Sequence, residues 1–249
     1  MGATPSADER TRLASLSKRE RVQELQARID AVPSRSGTNA AGGTRRIDGV
    51  AVPGALGELL PGGGLGRGTV TACPRGALLN ALIAAASGAG LATVIIGGTR
   101  IGLLSAVELG ADLNKIALIP QPGTDPLEIV SVCLEGIPVV VVDLDELTVA
   151  PARARVIMGQ IRKSGAVVIT TNRGWARTEL RITTRRVQYI GIGRGRGRLR
   201  AAHQVVTVRT RDERTRSGRL VLAGCGGGTQ WTQWKPDEAI VPPRLHLAG

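Results

Sequence analysis

The sequence predicts an α/β protein: a mainly parallel sheet flanked by helices, with C-terminal antiparallel hairpins and an N-terminal helix. Three observations predict it. From about residue 50 to residue 171, short continuous apolar runs rich in β-branched residues alternate with helix-length segments, as strands buried on both faces require. After residue 175 the rhythm changes to strands of alternating character separated by turn residues. The chain has 249 residues, 42% of them hydrophobic, which is enough to bury a real core.

The elements follow in order. Residues 7–32 read as an amphipathic helix, with Leu13, Leu16, Val22, Leu25 and Ile29 near the helical period and charges between them, ended by Pro33. Such a helix can pack on its own domain or dock on a neighbouring protein. Residues 33–49, rich in Ser, Gly, Thr and Asn, form a linker. The core, residues 50–223, then places strands at Val70 to Cys73, Leu91 to Ile96, Ile116 to Ile119, Val139 to Val142 and Ala166 to Thr171. Helices are expected at Ala77 to Ser87, Ile101 to Leu109, Asp125 to Leu134 and Ala152 to Ser164. Asp125-Pro126-Leu127-Glu128 is a well-formed helix start, an acidic cap followed by proline in the first turn. Antiparallel strands are expected at Leu180 to Thr184, Val187 to Ile190, Gln204 to Arg209 and Arg219 to Leu222. Residues 224–249 form a Gly/Trp/Pro tail, mobile unless bound.

Composition excludes several function classes. Cys73, Cys133 and Cys225 are odd in number and far apart, so no disulfide framework is expected. With His203 and His246 the only histidines and no CxxC, neither a metal site nor histidine acid/base catalysis has material to work with. Residues 76–99 carry no charge over a length that could span a bilayer, but Ser87-Gly88-Ala89-Gly90 divides them into a buried helix and a buried strand. The N-terminus is charged and lacks the apolar run of a signal peptide. The expected location is the cytoplasm, with no membrane partner.

An α/β sheet with a glycine-rich approach, Leu60-Pro-Gly-Gly-Gly-Leu-Gly-Arg-Gly68, invites a search for a nucleotide site. A phosphate loop needs backbone N–H groups curled around phosphates, a Lys to reach them and a Ser or Thr for magnesium. Here the first core strand passes through Cys73-Pro74-Arg75-Gly76 directly into the next helix, with neither residue type and no room for the loop. Asp143, at the end of a valine run, stands where a magnesium-supporting acid would. Without a phosphate loop it reads better as an acidic strand end. The strand ending at Ile96 leads into Gly97-Gly98 and offers no general base. No catalytic residue and no cofactor are expected, and the chain reads as a non-enzyme.

The segment Val52-Pro-Gly-Ala-Leu, the glycine-rich approach through Thr71, Ala106-Val-Glu-Leu-Gly-Ala-Asp-Leu-Asn-Lys-Ile-Ala-Leu-Ile-Pro120 and Val139-Val-Val-Val-Asp143 together resemble the RecA recombinase core in order and spacing. The stretches Leu180-Arg-Ile-Thr-Thr-Arg-Arg-Val187 and Val205-Val-Thr-Val-Arg-Thr210 look like that core's last strands, so the resemblance covers about residues 50–223. It implies a degenerate nucleotide site at Cys73, Pro74, Arg75, Gly76, Gly98, Asp143 and Asn172. Gly98 matches the family's catalytic Glu and Asn172 its nucleotide-sensing Gln. Among degenerate RecA-like proteins this arginine-rich version is most similar to the actinobacterial ImuA-prime proteins. That resemblance implies a non-catalytic accessory of the DNA-damage-induced (SOS) mutagenic translesion synthesis complex. Its partner would be the Y-family-like protein ImuB, bound with the C-terminal region, and indirectly a DnaE2-type polymerase.

Charge supplies the remaining sites. The net charge is +13, yet residues 151–219 alone hold 18 basic and 3 acidic side chains. Arg185, Arg186, Arg194, Arg196, Arg198 and Arg200 offer forked donors to phosphates, so DNA is an expected partner, bound sequence-independently and salt-sensitively. Trp175 and Tyr189 are the aromatics near that segment. Trp231 and Trp234, with Leu13, Leu16 and Leu25, are the expected partner-binding residues; folding back of the tryptophans on the parent domain is the competing reading. Two further functions compete: an active divergent RecA-type ATPase in DNA repair, disfavoured by the missing Lys, and a SulA-like inhibitor of cell division, which has no use for the basic segment.

Overall fold

The computed structural model describes residues 49–234 apart from positions 145, 146, 148, 173, 176, 194, 195, 226 and 227. The N-terminal helix with Leu13, Leu16 and Leu25, the linker up to residue 48, and Arg194 therefore lie outside the described residues. The chain enters through β1 (Gly49–Ala51), α1 (Gly54–Gly57) and β2 (Gly64–Gly66). β1 and β2 pair antiparallel, with Gly49 opposite Gly66. A Cβ at Gly49 would stand 2.0 Å from the Leu65 carbonyl oxygen, so this close pairing requires glycine. Gly49, expected at the end of the linker, is thus already part of the fold.

Then come β3 (Val70–Ala72), α2 (Ala77–Gly88), β4 (Thr93–Gly97), α3 (Leu103–Glu108), β5 (Ile116–Ile119), α4 (Pro126–Cys133), β6 (Val139–Asp143), α5 (Pro151–Ser164) and β7 (Val167–Thr170). Four antiparallel strands follow: β8 (Leu180–Gly193), β9 (Arg196–Thr210), β10 (Thr215–Cys225) and β11 (Gly228–Gln233). The main sheet runs β11-β10-β9-β8-β3-β7-β6-β4-β5. Its half from β5 to β8 is parallel and the rest antiparallel. The expected α/β architecture is the observed one.

The valine run of β6 shows why the parallel strands are apolar without alternation. Val139 and Val141 enter one core with Leu78, Leu79, Leu82 and Ile83 of α2. Val140 and Val142 enter the other core, with Leu127 and Val130 of α4 and Ile157 and Ile161 of α5. All four valines are fully buried, because successive side chains point to opposite faces and both faces are covered. α2 itself is buried nearly all round, which is why residues 76–99 lack charge. Among the described residues no helix is long and apolar enough to cross a membrane.

Local signals set the helix ends. Asp125 accepts from the backbone N–H of Glu128 at 3.2 Å, with Pro126 opening α4. Arg153 hydrogen-bonds the same carboxyl and, foremost among several causes, holds it below the usual carboxylate range. Asp125→Ala is expected to destabilise the protein by removing this N-cap and the Arg153 contact. Because the folded-state pKa is depressed, the charge-linked part of that contribution is present above the unfolded value and fades as pH falls through the folded one; urea melts at neutral and acidic pH measure both. α5 ends at Gly165, whose φ of 69° is the left-handed cap that glycine adopts without strain.

Two expectations for the C-terminal half are corrected. The break expected between Thr184 and Val187 is a register shift inside one strand, between Arg186 and Gln188 of β8. The segment of residues 224–249 is not a detached tail from its start: β10 continues to Cys225 and β11 adds a further strand. Trp231 is 6% exposed and joins the core containing Leu56, Leu59 and Leu60. Burying an indole beneath the sheet edge outweighs the ordering of a short glycine-rich strand.

Candidate functional site

In an open parallel sheet, ligands bind beyond the carboxyl ends of the strands. Cys73, Pro74, Arg75 and Gly76 follow β3, Gly98 follows β4, Asp143 ends β6 and Asn172 follows β7, so all the residues of the expected degenerate site meet at this end.

Their mutual contacts close the site. Arg75 Nε donates to Asp143 Oδ1 at 2.6 Å, and the Thr171 hydroxyl donates to the same oxygen at 2.6 Å. The Asp143 side chain is 1% exposed and that of Arg75 30%. The Asp143 carboxylate is therefore paired with a guanidinium from the turn that follows β3. Asn172 is engaged by its own loop: its Nδ2 donates to the Leu144 carbonyl at 3.3 Å and its Oδ1 accepts from the Gly174 N–H at 2.6 Å. The Arg75–Asp143 pair, with Thr171 as third member, was not legible in sequence. Its one signal was an arginine in a shortened turn and an acid at a strand end, 68 positions apart.

Backbone geometry keeps an acid out of the β4 end. Gly97 has φ 82° and a Cβ there would lie 2.2 Å from the Asp143 carbonyl oxygen. Gly98 has φ 71°, and its Cβ would lie 2.5 Å from Cγ2 of Ile95. Both positions are left-handed and crowded, so a side chain at either one would require the strand end to be rebuilt.

The cysteines offer no nucleophile here. Burial pushes the Cys73 thiol up to about 12 and that of Cys133 up to about 11. The Cys225 thiol is exposed. A native titration with a thiol-specific disulfide reagent near pH 8 is expected to modify Cys225 rapidly, and the other two only on unfolding. Fast native modification of Cys73 would contradict the closed site.

The basic residues divide by position. Arg185 and Arg200 are exposed. The backbones of Arg186, Arg196 and Arg198 lie in β8 and β9, while their side chains, like all of Arg194, are outside the described residues. Gly193 of β8 pairs with Arg196 of β9, so the paired strands extend to these two residues. Trp175 is 3% exposed within the core against α4 and α5, so it cannot stack on a base; Tyr189 is 45% exposed. Trp231 is a core residue, which removes it from the partner-binding set. Trp234 is half-buried at the sheet edge.

A family model described as the MT3502 N-terminal domain matches residues 58–177, a stretch that contains the whole strand-end site and stops before β8. The uncharacterized protein Rv3395c of Mycobacterium tuberculosis (strain ATCC 25618 / H37Rv) is 38% identical over 136 residues, 53% of this chain and 67% of that protein. With that identity spread over two thirds of the relative, the chain belongs to the family of Rv3395c.

Proposed function

We propose that this protein is a RecA-like, non-catalytic accessory of the DNA-damage-induced mutagenic translesion synthesis complex, acting in the cytoplasm as a scaffold that binds an ImuB-type partner and DNA. The observation that carries the non-catalytic part is the Arg75–Asp143–Thr171 cluster. An acid enclosed by an arginine and a hydroxyl of its own chain has no free charge for a metal–nucleotide complex. The left-handed glycines at the end of β4 support the same reading, as there is no acid at that position to activate water. The arrangement of a central β3, parallel neighbours and a final antiparallel set supports the RecA-like part. The ImuA-prime resemblance supports the partner, and the mycobacterial relative agrees with its actinobacterial range.

With Trp231 in the core, partner contact falls to residues 1–32, where the sequence places Leu13, Leu16 and Leu25 on an expected helix, and to the residues beyond Trp234. The deletion that tests this begins at residue 235, because one beginning at 224 would remove β11. Full-length protein is expected to capture the ImuB-type partner, and removal of residues 1–32 or 235–249 to weaken capture at least tenfold. Undiminished capture by both truncated forms would reject the assignment. Purified protein is expected to show neither ATP hydrolysis nor micromolar ATP affinity, and either activity would favour the ATPase reading.

A further inference from the structure

Among the described residues, the helix layer that covers one face of the sheet over β6, β7 and β3 does not continue over the antiparallel strands. Residues directly opposite in an antiparallel sheet share a face, so the register lays out what the uncovered face presents. One row is Arg181, Arg209 and Thr215; the next is Thr183, Thr207 and Ser217. The third is Arg185, Val205 and Arg219. Trp234 extends that third row, its N–H donating to the Arg219 carbonyl at 2.9 Å. Every residue of these rows is exposed or half-buried, whereas the opposite face carries the buried Ile182, Val206, Val208 and Leu220. No acidic residue stands in the rows. Glu179 and Glu213, in the flanking loops, pair with Arg211 and Arg209, and Arg181 and Arg185 have no acidic partner among the described residues.

The geometry points to a binding surface for single-stranded nucleic acid on this outer face, a deepening that rests on the DNA-binding part of the proposed function. Arg185 and Arg219 flank the Val205 row position two strands apart, about 10 Å, and Arg181 stands four residues along β8, about 13 Å away. These spacings are wider than the step between adjacent phosphates and suit non-adjacent phosphates of an extended strand, reached by long arginine side chains. The row between them exposes hydroxyls, with Thr207 and Ser217 hydrogen-bonded at 2.8 Å. The Arg219 guanidinium carbon lies 4.8 Å from the Trp234 ring centroid, and the His203 ring meets the same indole at 6.3 Å, tilted by 60°. An indole with a guanidinium over its ring offers a base a cationic, aromatic platform, and a base can reach it only when unpaired. Charge complementarity selects a polyanion; the Arg–Trp stack selects a single strand over a duplex.

The test is fluorescence anisotropy with an oligothymidylate of about 20 nucleotides and the matching duplex, across a salt series. Wild type is expected to prefer the single strand. The triple variant Arg181→Ala, Arg185→Ala, Arg219→Ala is expected to weaken binding at least tenfold and to flatten the log affinity against log salt slope by about 2 units, near ~0.7 per lost phosphate contact. Trp234→Ala is expected to weaken single-strand binding about tenfold and duplex binding little. The triple variant stays on solvent-facing positions, so its result stands even if Trp234→Ala lowers the melting temperature. If the triple variant keeps wild-type affinity and slope while Arg196→Ala with Arg198→Ala abolishes binding, the outer face is rejected and DNA binding survives at the hairpin end. Equal affinity for duplex with no effect of Trp234→Ala rejects the single-strand assignment. No binding to either oligonucleotide at low salt removes this inference and the DNA part of the proposed function together.

Discussion

Trp231→Ala is expected to destabilise the protein by about 3–5 kcal/mol, the range for removing a large aromatic from a core. Trp231 is 6% exposed, on β11, and packs in the core that holds Leu56, Leu59 and Leu60. Its Nε1 is buried without a hydrogen-bond partner among the described residues, so the loss is one of apolar contact and of the space left behind, not of a polar bond. Trp231→Phe refills most of that space and should cost about half as much. Against a total stability of about 5–15 kcal/mol, the alanine variant should be close to unfolding at 37 °C. Urea melts of the two variants measure this, with an unchanged denaturant slope as the check that the folded state is intact. A loss under about 1 kcal/mol would mean that Trp231 is not a core residue and would return it to the partner-binding set.

The second large effect is expected at the strand-end cluster. Arg75→Ala leaves Asp143, with 1% of its side chain exposed, holding the Thr171 hydroxyl as its one side-chain partner among the described residues. Truncating one member of a buried pair costs about 3–5 kcal/mol, because the other charge stays buried and uncompensated. With the Arg75 side chain 30% exposed, water can reach part of the vacated position, and about 2–3 kcal/mol is the expected value. The double variant Arg75→Ala, Asp143→Asn should recover much of the loss, since the amide oxygen still accepts from Thr171 and no charge remains to desolvate. A double-mutant cycle reads the coupling directly. A coupling near zero would mean that the pair does not close the site, and the main support for a non-catalytic scaffold would go with it.

Most of the architecture was legible because it is written in local patterns. The valine run of β6, the Asp125-Pro126 helix start and the Ile116–Ile119 strand each announce themselves within a few residues. The long β8 and β9 were harder to read, because the register shift at Arg186 and the glycines near the hairpin end interrupt the alternation that identifies a strand. β11 was missed for a related reason: Gly-Cys-Gly-Gly-Gly signals a loop, and only the neighbouring edge of β10 makes residues 228–233 a strand. At the site, composition showed which groups were missing, but not that Arg75 and Asp143 meet.

By itself, then, the amino-acid sequence determined the α/β class, the order of the core elements, the lack of phosphate-loop residue types and the concentration of positive charge after residue 150. Periodicity, capping and composition are properties of neighbouring residues, and they survive without knowledge of the fold. The tertiary structure alone decided that Trp231 belongs to the core, that Asp143 is enclosed by Arg75 and Thr171, and that Arg181, Arg185 and Arg219 share one face with Trp234. Each depends on which elements the fold brings side by side, and their packing and pairing register, not local preference, determine which side chains meet.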